Sequence, residues 1–156
     1  MKTFDLYRRL AAYPGGKAAF SALYAFKAPY FATVAPEVRE VRPHHSELVI
    51  RLRRRVKNHI GTLHAIAVCN ALEAAMGLLA EATCPDDQRW IPKGMEVRYL
   101  AKSTTDLLCT AETDPADWEQ GADVPVRVRA VRRDGTVVVD GIITIYVSAR
   151  PVRPSS

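Results

Sequence analysis

The chain has 156 residues, 48% of them hydrophobic and 25% charged, which fits one globular domain able to bury a core without disulfides or a structural metal. Lysine and arginine outnumber aspartate and glutamate by 22 to 17, a balance that tolerates anionic partners without choosing between nucleic acid, membrane surface and phosphate-bearing substrate. No run of 18 or more apolar residues occurs, and Lys27 interrupts the stretch Ala18–Ala35, so neither a bilayer span nor a secretory leader is expected.

In chain order, two helices come first. Thr3 is placed to cap one, with Leu6, Leu10 and Tyr13 at helical spacing; Tyr13-Pro14-Gly15-Gly16 ends it. The second, about Lys17 to Lys27, sets Phe20, Leu23, Tyr24 and Lys27 on one side. Together, residues 1–35 read as a helical cover for the core. From Pro36 the period becomes that of strands. Glu37 to Arg42 is a weak strand, Pro43 to Ser46 a turn, and Glu47 to Arg53 a strand with Leu48, Ile50 and Leu52 on one face. After the basic cluster Arg53, Arg54, Arg55 and Lys57 comes Asn58-His59-Ile60-Gly61-Thr62-Leu63, then a helix to about Thr83. Between Lys57 and Glu81, Glu73 is the one formally charged side chain, so this alanine-rich helix belongs inside the protein.

The rest is β. Met95, Val97, Tyr99 and Ala101 alternate with polar residues, as do Leu107, Cys109 and Ala111, and then Val124, Val126 and Val128. A short turn or helix is expected over Asp114–Gly121, and Asp134-Gly135 signals a two-residue hairpin before a last strand from Thr136 to Ser148. The reading is α+β: two strands, one long buried helix, and four strands as successive hairpins, in a single domain over 1–149 with a flexible tail at 150–156. Cys69, Cys84 and Cys109 are odd in number and widely spaced, which points to free thiols in a reducing, cytoplasmic setting.

Hydrolysis at an acyl carbonyl needs a base to activate water and donors for the developing oxyanion. A helix start offers free amides, here near Ala65 and Ile66, and Glu73 offers the carboxylate. Asn58, Gly61, His64, Ala65 and Ile66, followed by Glu73 nine residues after His64, resemble the loop-to-helix signature of hotdog-fold thioesterases, in particular the phenylacetyl-CoA thioesterase-like branch. The His-Ala-Ile version is similar to an uncharacterised hotdog family in that superfamily. The resemblance spans roughly Pro29–Ser148 and implies the hotdog fold, acyl-thioester hydrolysis and a homodimer or tetramer. It also implies a site shared across the dimer, with Glu73 as base or nucleophile, Asn58 orienting water or the carbonyl, and His64 shaping the loop. Gly61, Ala65 and Ile66 would then line the acyl thioester, with Arg54 and Lys57 on the phosphates of coenzyme A. Coenzyme A enters as part of an acyl-CoA or acyl-carrier substrate, and no separate cofactor is expected. Ala65 and Ile66 depart from the two glycines of that branch.

Other readings stand beside it. Glu73 fits a structural ion pair, Asn58 an ordinary turn, Cys69 a buried small side chain, and Arg127, Arg129, Arg132 and Arg133 a solvated strand face. His59 and His64, five apart, do not share a helical face, so no metal is expected there. A non-catalytic binder of acyl-CoA or an acyl chain is the alternative function. Nucleic acid is not expected as a partner, because the aromatic-plus-basic strand pattern and any recognition helix are missing.

Overall fold

The computed structural model describes residues 2–119 and 122–151. Helices α1 (Thr3–Ala11) and α2 (Gly16–Lys27) precede strands β1 (Glu37–Arg42) and β2 (His45–Ile50). Then come the long helix α3 (Ala65–Thr83) and strands β3 (Gln88–Tyr99), β4 (Leu107–Glu112), β5 (Asp123–Arg132) and β6 (Val137–Ala149). All strand pairs are antiparallel, in the order β1-β2-β4-β5-β6-β3. One sheet around one apolar helix is the expected hotdog arrangement.

Straight-chain and alanine residues make α3 a good helix, and it stops at Cys84 because Pro85 disfavours helical backbone in the residue before it. Val68, Leu72, Ala75, Met76 and Leu79 are buried against the inward residues of the sheet, among them Leu48, Ile50, Cys109 and Val126. By length and composition the helix is apolar enough to cross a bilayer, yet most of it is enclosed by the sheet and α1, which is the behaviour of a core helix. Gly77 marks the closest approach, since a Cβ there would lie 3.1 Å from the Tyr24 hydroxyl of α2. That hydroxyl donates to the Ala74 carbonyl at 3.1 Å, and Ser46 Oγ on β2 donates to the Ala75 carbonyl at 2.6 Å, so both neighbours are tied to the helix by buried polar bonds.

A bulge between Val38 and Glu40 shifts the register of β1 against β2. It brings Val38 and Val41, three residues apart, onto the inner face together. β1 lies under α2, whereas β3 pairs only with β6 and has no strand on its other side.

Several expectations need correction. Thr3 does not cap α1; Lys2 holds that position, and the Thr3 hydroxyl accepts from Lys27 Nζ at 3.3 Å, linking the two N-terminal helices. Leu23 is exposed, leaving Phe20 and Tyr24 as the buried face of α2. The turn at Pro43–Ser46 shrinks to Pro43-His44, because His44 takes φ 64° and the chain re-enters strand at His45. The hairpin at Asp134-Gly135 is a three-residue loop, closed by Arg132 and Thr136 with Gly135 at φ 83°. The last four strands are not successive hairpins: β3 crosses to the far edge and pairs with β6. Arg150, placed in the flexible tail, donates its backbone N–H to Asp87 O and its Nε to Gln88 O. Residues 152–156 of that tail lie outside the described residues, as do Gln120 and Gly121 of the expected segment 114–121, in which Pro115–Trp118 forms a 3-10 turn.

Candidate active site

The loop before α3 is a small closed structure. Lys57 bridges Leu63, and the Asn58 side-chain oxygen accepts from the amides of Ile60 (3.2 Å) and Thr62 (3.1 Å). Its amide nitrogen donates to Thr62 Oγ1 at 2.8 Å. Gly61 sits at φ 82°, a conformation side chains resist. Outside the loop, Leu63 N–H donates to Ser103 O and His64 N–H to Val56 O, fixing the entry to the helix. Asn58 therefore organises the turn, and its carboxamide is largely committed to doing so.

His64 is the cap of α3. Its Nδ1 accepts from the Ile66 amide at 3.1 Å, which leaves Nε2 as the protonated nitrogen of the neutral ring. Of the two amides expected as oxyanion donors, that of Ile66 is thus taken. Those of Ala65 and Ala67 have no acceptor among the described residues, and they sit at the positive end of the helix dipole.

Ile66, Cys69 and Glu73, at helical spacing, form one stripe of α3 that the sheet covers only in part; Ile66 is 57% exposed. The stripe faces the inner side of β3, where Cys69 Sγ lies 3.2 Å from the Tyr99 hydroxyl. That contact, more than burial, pushes the Tyr99 phenol up to about 12. Glu73 is half-buried and makes no hydrogen bond or ion pair among the described residues. Tyr24, across the helix, is held protonated well above its ordinary range, first by burial and then by the charges of Glu81 and Glu73.

The basic groups divide cleanly. Arg127 pairs with Asp114, Arg132 with Asp134 and Arg133 with Asp106, a solvated strand face with its own counter-charges. Arg54 and Lys57 are exposed beside the helix start without an acidic partner among the described residues. The structure therefore gathers Lys57, Asn58, Gly61, His64, Ala65 and Ile66 around one end of α3, with Arg54 beside them. Glu73 stands two turns further along the helix, away from that end.

Asn70 was passed over in the sequence. It is buried one turn before Glu73, with Nδ2 donating to Thr33 Oγ1 at 2.9 Å and Oδ1 without a donor among the described residues. The available signal was a lone carboxamide on an apolar helix, since such a group is costly to bury unless something holds it. A concavity of about 830 Å³ lies elsewhere: on the sheet face away from α3, lined by Glu96, Arg98, Thr110, Arg127 and Arg129. Its shape is that of an open groove over strands, and no helix amide points into it.

The chain matches the model of a domain of unknown function, DUF4442, over residues 16–147. No curated protein sequence matches it. Among solved structures, a structural-genomics protein whose description gives no activity is 41% identical, covering 95% of this chain and 99% of its own, with a TM-score of 0.84. A Pseudomonas aeruginosa protein of unknown function, called a probable thioesterase, is 19% identical over 82% of this chain and 92% of its own, at TM-score 0.73. A thioesterase family protein from Silicibacter pomeroyi is 19% identical over 83% of this chain and 99% of its own, at TM-score 0.68. At those identities the last two speak for the fold. The chain belongs to the DUF4442 family, built on the hotdog fold that thioesterases share.

Proposed function

We propose that this protein hydrolyses acyl thioesters, with acyl-CoA as the substrate class, as a homodimer joined through β3. The observation that carries the proposal is Glu73: a half-buried carboxylate on a largely apolar core helix, without a partner among the described residues, on the stripe that faces β3. Nine residues separate it from His64, about 13 Å along the axis at ~1.5 Å per residue, too far to serve the amides of its own helix start. β3 offers a long free edge that a second copy can continue as an antiparallel pair. Such pairing sets the crevice of one protomer against the helix start of the other.

In this reading Glu73 takes a proton from water, and the resulting hydroxide attacks the thioester carbonyl. The partner's amides at Ala65 and Ala67 hold the oxyanion, and the sulfur leaves with the proton Glu73 returns. Arg54 and Lys57 meet the phosphates of coenzyme A, and three free cysteines suit a reducing cytoplasm. Hydrolysis of an acyl-CoA panel by wild type and Glu73→Gln tests the mechanism. A loss of about 10²–10⁴ in kcat is expected; equal rates remove Glu73 from it.

One observation favours a second reading, a binder without turnover. The His64 ring already occupies the Ile66 amide, which thins the oxyanion donors. Saturable acyl-CoA binding with no thiol release at any chain length would establish that reading instead.

A further inference from the structure

On the sheet face away from α3, at the opposite end from the loop, four side chains converge. His45 and Glu47 point outward from β2, since Ser46 and Leu48 between and beyond them point into the core. Glu40 stands opposite Glu47 on β1, and Glu112 opposite His45 on β4. His45 is only 8% exposed. Its Nε2 lies 3.3 Å from Glu47 Oε1 and its Nδ1 3.4 Å from Glu112 Oε1, yet neither contact has hydrogen-bond alignment. The donor atoms of Glu40, His45 and Glu47 all lie within 4.8 Å of one another. Glu40 pairs with Arg42, while Glu47 and Glu112 have no lysine or arginine partner among the described residues.

A neutral imidazole has one N–H and one lone pair, but here both ring nitrogens face carboxylate oxygens, so one contact sets acceptor against acceptor. Glu40, Glu47 and Glu112 all converge on this one ring, and of the three only Glu40 has a basic partner, Arg42, among the described residues. We propose that Glu40, His45 and Glu47 form a binding site for a first-row divalent cation of the zinc class. His45 Nε2 would be the nitrogen ligand, and a small turn of the ring would let Nδ1–H donate to Glu112, the carboxylate–histidine–metal relay that fixes ring orientation in such sites. The 3.3 Å between Nε2 and the Glu47 oxygen is also the ligand-to-ligand edge of a tetrahedron whose metal bonds are about 2.0 Å long. Three protein ligands leave a fourth position for water. The ion would clamp β1 to β2 and, through Glu112, to β4. Because the site lies at the far end of α3 from the helix start, the inference is independent of the proposed hydrolysis.

The test is metal binding by the full chain at neutral pH. Calorimetric titration with zinc is expected to give one equivalent per chain and a raised Tm. Titration with cobalt(II) is expected to give visible d–d bands without the strong near-ultraviolet band of a cysteine thiolate ligand. His45→Gln and Glu47→Gln should each abolish both signals, Glu112→Gln should weaken affinity about 10–100-fold, and Cys84→Ser should change nothing. Wild-type protein that takes up neither metal at millimolar concentration overturns the proposal, whatever the variants do. So does uptake that persists unchanged in His45→Gln.

Discussion

His64 illustrates how one side chain sets the terms of a helix start. As the α3 cap it satisfies the Ile66 amide, and replacing it by alanine should cost about 1 kcal/mol, read as a lower midpoint in urea unfolding. His64→Asn, a good cap of another shape, should recover most of that stability and keep any thioesterase activity within a few-fold. A collapse of activity in a stable His64→Asn protein would move the ring from cap to chemistry. Asp106 carries a pH dependence. The Leu52 amide, then the guanidinium groups of Arg133 and Arg51, hold its carboxyl down at about 2 against an ordinary 3.8. Because the folded value is the lower one, its stabilisation is fully present above the unfolded pKa and drains away as pH falls from about 4 toward 2. Acid titration of Asp106→Asn should therefore lack the part of the wild-type stability loss in that window, about 1 kcal/mol after solvent screening.

At the level of elements, α3 was the most legible feature, because an alanine-rich run with Glu73 as its one charge between Lys57 and Glu81, stopped at Cys84-Pro85, has few other fates. Its role in a site was half legible. Glu73 stands out in the sequence, but the Asn58 carboxamide bonding within its own loop and the His64 nitrogen on Ile66 are local geometries that residue types alone do not specify. The β1–β2 turn was misjudged for a related reason: His44 adopts positive φ without being glycine, a choice made by the packing of both strands. The His45–Glu47 pair escaped notice because ligand spacing was sought on a helix, whereas on a strand residues two apart share a face and the third donor comes from a neighbouring strand.

For the whole molecule, sheet order was the least legible property, since strand partnership is non-local and alternation says nothing about neighbours. β3 ends at an open edge, and there the dimer is expected. Sedimentation of wild type should report twice the chain mass. Ile91→Asp places a charge on exposed β3, close to its symmetry mate in an isologous pair, and should yield monomers that have lost hydrolysis together with assembly. A dimer unaffected by that change would put the interface elsewhere. The crossing of β3 also governs how the chain can be made. β3 leaves the ribosome well before β6, yet its register partners, such as Gly141 for Val97 and Val147 for Trp90, come only after β4 and β5 in the chain. Until β6 emerges, β3 has neither its neighbour nor its twin. The nascent chain therefore carries its most association-prone strand bare on both sides until β6 has been made.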